Sequence, residues 1–323
     1  MLEIGKVSIV TPCYNGSSYV ERFFHSVIAQ KYTPIQLIII DDGSTDNTLE
    51  ILKKWDARFK QEGIEYIWLT QPNGGAASAI NKGLPYANGE FFIWPDSDDE
   101  LMTNSIQNRV DYLNQNKDVN IVRSKAIVVH DNQQKTFAFN IGDNQIDKKE
   151  DIFEDMVLQR TYISSGCYMV RMKLVDEILN RKIMESHAGQ NIQILLPIVQ
   201  NNEVAHLDKN LYRIYIRQDS HSRNIVSNIY QESVKREIDL ATNLSIIVTS
   251  LNREDLVSPI YQLIYSRCLL LSSKYNKVDE VKKYAKKLKA STFLNKRILF
   301  FSTLAFLQVL PLVNGLIKRI KKK

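Results

Sequence analysis

Gln36-Leu37-Ile38-Ile39-Ile40 runs directly into Asp41-Asp42-Gly43-Ser44-Thr45-Asp46. The first five residues are nearly all apolar, as in a strand covered on both faces. The acidic, turn-forming stretch that follows fits a loop at the strand's carboxyl end. Within it, Asp46 fits the cap of a helix carrying Leu49 and Leu52. Outward toward the N-terminus, Val7–Thr11 is a second β-rich run, and Val20, Phe23, Phe24, Val27 and Ile28 fall at helical spacing. In the other direction the pattern predicts a helix near Thr48–Phe59, a strand near Glu65–Leu69 and a helix near Ala76–Ala87. A strand at Glu90–Trp94, a helix near Ser105–Asn116 and a strand at Val119–His130 follow. Strands separated by helices predict an α/β domain with a mainly parallel sheet and helices on both faces.

In such sheets, ligands bind where the carboxyl ends of the strands open into a crevice. Four polar segments follow the first four strands: Thr11–Gly16, Asp41–Asp46, Gln71–Gly75 and Pro95–Asp99. Their convergence on one rim predicts a site. Asp96-Ser97-Asp98 places alternate carboxylates at a strand end, where both reach one hard cation such as Mg²⁺ or Mn²⁺. Alone, such a triplet fits a hydrated acidic turn equally well.

Val7-Ser8-Ile9-Val10-Thr11-Pro12-Cys13-Tyr14-Asn15 together with Asp41–Asp46 resembles the opening of the family-two inverting glycosyltransferases, which have the GT-A fold. Asn73-Gly74-Gly75-Ala76-Ala77-Ser78-Ala79-Ile80-Asn81-Lys82-Gly83 resembles that family's next motif, and Asp96-Ser97-Asp98-Asp99 its metal motif. Order and spacing agree over roughly the first hundred residues. The resemblance implies a UDP-sugar donor held by Pro12, Tyr14, Asn15, Asp41, Asp42, Asn81, Asp96 and Ser97. It implies Mn²⁺ or Mg²⁺ on Asp96 and Asp98. Many members carry an Arg before the Asn of the third motif; Ile80 stands there in this chain.

The acceptor half departs further from the family. Many members begin a helix with a Glu-Asp pair whose Asp is the base. Gln190 and Asn191 stand at those places here, and neither amide takes a proton at neutral pH. Glu185 and His187 are the nearest groups that do, so both are candidate bases; Gln190 and Asn191 are candidate acceptor-hydroxyl ligands. Arg217-Gln218-Asp219-Ser220-His221-Ser222 resembles the family's H-x-x-S-x-S loop with Arg217 in the histidine position. It implies that Arg217, Ser220 and Ser222 grip the diphosphate, with His221 a further candidate for the metal.

Gly166–Val170 and Leu211–Ile216 read as strands, Asn191–Val199 as a short helix and Asn132–Asp151 as a polar loop. Beyond Asn224 the pattern is wholly helical, over Tyr230–Thr249, Val257–Ser272, Val278–Leu288 and Ile298–Ile317. The expected organisation is a GT-A-like domain over 1–224 and a helical extension over 225–323. The net charge of +6 resides in the extension: Val281–Lys323 holds twelve Lys or Arg and no Asp or Glu, leaving 30 basic and 36 acidic residues elsewhere. Ile298–Ile317 is an uncharged, mostly apolar run of twenty residues between basic clusters. That composition suits an interfacial helix on anionic headgroups, and a spanning or protein-packed helix less well. It argues against nucleic acid as the partner.

Three distant cysteines, Cys13, Cys167 and Cys268, suit a reducing compartment, and no apolar leader precedes the first strand. The expectation is a cytoplasmic enzyme bound peripherally to the inner face of the cell membrane, and possibly homo-oligomeric. It would pass a hexosyl or N-acetylhexosaminyl group to a lipid-linked glycan in capsule, exopolysaccharide or O-antigen assembly. A nucleotidyltransferase and a non-catalytic sugar-nucleotide or glycan-binding subunit are the competing readings. The first usually needs a glycine-rich basic loop, and Thr11–Ser18 has one Gly and no Lys or Arg. The second is favoured by the missing Glu-Asp pair.

Overall fold

The computed structural model describes residues 2–132, 135–185, 189–216, 229–288, 299–300 and 303–304. In chain order the elements are β1 (Glu3–Cys13), α1 (Val20–Ile28), β2 (Ile35–Asp41), α2 (Thr48–Lys54), α3 (Asp56–Gln61), β3 (Glu65–Thr70), α4 (Ala76–Gly83), β4 (Gly89–Ile93), β5 (Glu100–Leu101) and α5 (Ser105–Gln115). Then come β6 (Ile121–Asn132), β7 (Lys135–Ile141), α6 (Phe153–Val157), β8 (Tyr168–Arg171), α7 (Met172–Leu179), α8 (Gln190–Val199) and β9 (Ala205–Ile216). The helices α9 (Ile229–Ser250), α10 (Val257–Lys274) and α11 (Val278–Lys287) follow. The chain divides into two compact units, Met1–Arg223 and Asn224–Lys323.

The first unit is built on one sheet with strand order β3-β2-β1-β4-β8-β6-β9-β5, with β7 paired to β6. The β3, β2, β1 and β4 strands run parallel, and every residue of β2 is buried, as its apolar composition requires. Side chains of a strand alternate between faces. On one face, Phe24 of α1 meets Phe59 of α3 at 5.1 Å and Tyr66 of β3 at 6.0 Å. On the other, α4 lies so close that a Cβ at Gly83 would stand 2.7 Å from both Ile40 and Val10. The Thr48–Phe59 stretch is two short helices hinged at Trp55, whose indole donates to Glu21 at 2.8 Å.

The sheet is mixed rather than purely parallel, with β6 and β9 also pairing parallel. β8 pairs antiparallel with both β4 and β6, β7 with β6, and β5 with β9. Directly after the acidic turn, the two-residue strand Glu100–Leu101 pairs with Arg213 and Tyr212 of β9.

The second unit is helical. α10 packs on α9 and α11, burying Leu244, Val248, Ile260, Ile264, Cys268 and Tyr284. α11 buries Val281, Tyr284 and Leu288 and leaves Lys283, Lys286 and Lys287 exposed. Among the described residues, no helix is long and apolar enough to cross a membrane. The expected helix Ile298–Ile317 lies, apart from residues 299–300 and 303–304, outside the described residues.

Candidate functional site

β1, β2 and β3 end level with one another, Cys13 facing Asp41 and Asp41 facing Thr70. Their loops are stitched together by backbone N–H groups. Asn15 sits at φ 49, a left-handed conformation that Asn tolerates. Its N–H donates to Ser44 Oγ at 2.9 Å, and its Oδ1 accepts from Thr45 N at 2.8 Å. Ser17 N donates to Asp46 at 3.1 Å, and Asp46 also accepts from Thr48 N at 3.0 Å, at the start of α2. Burial opposes ionisation of Asp46, but the bonds from Thr48 and Ser17 outweigh it and hold the carboxyl below its ordinary value. Pro12 and Tyr14 remain half-exposed above this framework.

Asp41 and Asp42 are both buried. Asp41 accepts from Ser44 N at 3.2 Å. Asp42 organises the third loop: it accepts from Gln71 Nε2 at 2.7 Å, Gly74 N at 2.9 Å and Gly75 N at 2.8 Å. Gly43 makes the approach of the second and third loops possible. Its φ is +72, and a Cβ there would stand 2.6 Å from the Asn73 nitrogen.

The acidic turn follows β4. Asp96 N donates to the Tyr212 hydroxyl at 3.1 Å, and Tyr215 N donates to Asp99 Oδ1 at 2.9 Å. Arg22 of α1 donates to the Asp98 carbonyl and lies 3.6 Å over the Tyr215 ring. Tyr212 fits only because Gly166 has no side chain, since a Cβ there would fall 2.1 Å from its ring. The Gly166 carbonyl is fixed by Arg109 at 2.7 Å. Ser97 is buried, and its hydroxyl meets the Cys13 thiol, which burial pushes up to about 12.

Burial, then the charge of Asp98, raises Asp96 to about 7, with the neighbouring Ser165 acting in the opposite sense. Burial and the charges of Asp98 and Asp96 raise Asp99 well above the carboxylate range. Crowded carboxylates that resist joint ionisation fit a divalent cation, and the donor set is the hard oxygen set that Mg²⁺ and Mn²⁺ prefer. Among the described residues, no group of three or more His, Cys, Asp or Glu side chains is arranged to hold an ion. Mg²⁺ usually takes one or two carboxylates and completes its shell with phosphate oxygens and water.

Glu185, a candidate base, is exposed. The Asn81 amide meets the chain beyond α7. It bonds both the N–H and the carbonyl of Ile183 at 2.8 Å and reaches Glu185 Oε1 at 3.5 Å. Gln190 opens α8, and the Asn191 Oδ1 accepts from the Trp94 indole at 3.0 Å, just before the acidic turn. His187, Arg217, Ser220, His221 and Ser222 lie outside the described residues.

Sequence reasoning missed Arg22, Gln71, Trp94, Ser165, Tyr212 and Tyr215. Gln71 lay within a loop already singled out. Trp94 directly precedes the acidic turn, Ser165 lies in a 3-10 turn before β8, Arg22 on α1, and Tyr212 and Tyr215 on β9, and no local motif marks their roles.

Residues 8–179, more than half of the chain, match the model of Glycosyl transferase family 2. The chain belongs to that family. It is 31% identical over 179 residues to an uncharacterized glycosyltransferase of Rickettsia typhi, covering 55% of this chain and 52% of that one. It is 36% identical over 107 residues to the putative teichuronic acid biosynthesis glycosyltransferase TuaG of Bacillus subtilis, covering 33% and 41%. The match thus spans about half the length, or less, of these curated relatives. Among solved structures, S. aureus TarS 1-349 in complex with UDP-GlcNAc superposes with a TM-score of 0.55 at 18% identity, covering 88% of each chain. The mannosyltransferase PcManGT from Pyrobaculum calidifontis, in complex with GDP-Man and Mn²⁺, gives 0.54 at 14% identity, covering 98% of this chain and 87% of that one. These two likenesses establish the GT-A fold.

Proposed function

We propose that this chain moves a hexosyl or N-acetylhexosaminyl group from a UDP-sugar to a hydroxyl of a glycan acceptor, with inversion, in the assembly of a surface polysaccharide. The observation that carries the reading is the acidic turn Asp96–Asp99, set level with the loops of β1, β2 and β3 and clamped by Tyr212, Tyr215 and Arg22. Family membership supports the activity, and TuaG, a relative put in teichuronic acid biosynthesis by its name, supports the product class. Pro12 and Tyr14 offer the half-exposed surface for the base, with Asn15, Asp41, Asp42 and Ser97 shaping it. Arg217, Ser220 and Ser222 would grip the diphosphate.

Asp96 and Asp98, with His221 as a further candidate, would hold Mn²⁺ or Mg²⁺, which when bound stabilises charge on a leaving diphosphate. Glu185 takes the proton of the attacking acceptor hydroxyl, with His187 the alternative; Gln190 and Asn191 orient the acceptor. The hydroxyl oxygen bonds to the anomeric carbon on the face opposite the diphosphate, and the bond to the diphosphate breaks, releasing UDP. The domain plan of a catalytic part over 1–224 and a membrane-seeking extension over 225–323 belongs to the same reading. The acceptor is then lipid-linked, and the enzyme works at the inner face of the cell membrane, alone or as a homo-oligomer. The exposed Lys283, Lys286 and Lys287 of α11 add to the basic tail in support.

Incubating the full chain with a panel of UDP-sugars, Mn²⁺ and lipid-linked acceptors tests the proposal. A glycosylated lipid whose new bond has the anomeric configuration opposite to the donor's is expected. Formation of a sugar nucleotide and pyrophosphate, when UTP and a sugar phosphate replace the UDP-sugar, would support a nucleotidyltransferase. Donor binding with no transfer to any acceptor would support a non-catalytic subunit.

A further inference from the structure

We infer that Asn81 is a positioning residue that holds the acceptor-side segment 181–185 against the donor-side helix α4. The inference deepens the proposed function and rests on its assignment of that segment to the acceptor. The Asn81 Oδ1 accepts from Ile183 N at 2.8 Å, and its Nδ2 donates to Ile183 O at 2.8 Å and to Glu185 Oε1 at 3.5 Å. An amide that makes both bonds to one residue's backbone reproduces the pairing of a neighbouring strand. The paired bonds to Ile183 turn the Asn81 amide toward the segment after α7.

The surroundings show that the segment is held from several sides. Asn180 and Arg181 both adopt left-handed φ, 47 and 53, and turn the chain back at the end of α7. Arg181 donates to the carbonyls of Leu84 at 3.2 Å and Ala87 at 2.5 Å, immediately after α4. Ile183 is buried. Farther along, Asn191 meets Trp94 at the strand end that precedes the acidic turn. At its other end α4 follows Gly74 and Gly75, which are bound to Asp42. The segment that carries Glu185 is thus tied through Asn81 to the same helix whose start is fixed by the donor loops.

The test uses full-length Asn81→Ala and Asn81→Asp. Asn81→Asp keeps an acceptor for the Ile183 N–H, loses the donor to its carbonyl and places a second carboxylate beside Glu185. It also serves if Asn81→Ala does not fold. Four quantities are read: the UDP dissociation constant, kcat and KM for the acceptor, and amide hydrogen exchange at Ile183. Asn81→Ala should lower kcat/KM for the acceptor by about tenfold or more while UDP affinity stays within about twofold. Ile183 exchange should quicken by about tenfold or more in the same variant, and Asn81→Asp should lose more transfer than Asn81→Ala. A parallel loss of UDP affinity would make Asn81 a donor ligand and overturn the inference, as would unchanged exchange at Ile183. A wild-type chain with no transfer activity would sink the functional reading, while the exchange measurement would still report on the tie itself.

Discussion

Tyr215 donates its backbone N–H to Asp99 at 2.9 Å while its ring carries the guanidinium of Arg22 at 3.6 Å. The last strand of the sheet and the first helix thereby grip the acidic turn from two sides. Arg22 adds a bond to the Asp98 carbonyl, and Glu100 accepts from Arg213 at 2.7 Å and from the Tyr215 hydroxyl at 3.0 Å. Arg22→Ala should cost about 1–3 kcal/mol of stability through the lost ring contact and hydrogen bond. It should also weaken Mn²⁺-dependent turnover, by about tenfold. Thermal melts and Mn²⁺ titrations of activity check both, and an unchanged Mn²⁺ response would show that the clamp does not set the turn.

Asp42 is a buried carboxylate with bonds from Gln71, Gly74 and Gly75. Asn at this position offers a single oxygen and turns an amine toward one of the N–H donors. Asp42→Asn should lower stability by about 1–3 kcal/mol and weaken UDP binding together with it. Loss of UDP affinity with an unchanged melt would instead make Asp42 a direct donor ligand with little part in holding the loop.

His206 lies on β9 opposite Arg123, and neither ring nitrogen has a hydrogen-bond partner. Burial, then the Arg123 charge, holds its pKa below the ordinary value. The unfolded chain takes up this proton as pH falls through about 6.5, whereas the folded chain takes it up only at lower pH. Stability should therefore fall as pH drops below about 6.5, and His206→Gln should flatten that part of the profile. Denaturant midpoints measured from pH 5 to 8 decide it; a His206→Gln profile parallel to wild type would assign the acid sensitivity to other groups.

The basic tail gives a separate expectation. Lys318, Arg319, Lys321, Lys322 and Lys323 should each contribute about 1 kcal/mol near an anionic surface. Deletion after Asn295 should release the chain from anionic vesicles in a flotation assay, and high salt should weaken binding of the full chain. Equal flotation of the truncated chain would remove the tail from the membrane reading.

The parallel half of the sheet was legible because its strands are apolar runs punctuated by turn residues, as at Ile38–Asp42. The rest was harder to read for physical reasons. β7, Lys135–Ile141, alternates Thr136, Ala138 and Asn140 with Phe137, Phe139 and Ile141, a strand pattern hidden inside a polar stretch. The antiparallel turn of β8 onto β4 depends on pairing between distant segments, which no local periodicity carries. The acidic turn was legible as a motif, but its supports were not: Tyr212, Tyr215 and Arg22 reach it through the fold. Asn81 was legible as a motif residue by resemblance, and only the contact with Ile183 shows what its amide holds.

The most direct test of the central claim is UDP release from a UDP-sugar in the presence of acceptor, comparing wild type with Asp98→Asn, each with Mn²⁺ and with excess EDTA. Removing one carboxylate from the pair Asp96 and Asp98, or removing the cation, withdraws the charge that the leaving diphosphate needs. Acceptor-dependent UDP release by wild type with Mn²⁺ is expected, reduced about 100-fold or more in Asp98→Asn and abolished by EDTA in both, with unchanged thermal melts. Undiminished release by Asp98→Asn, or by wild type in EDTA, would contradict the claim.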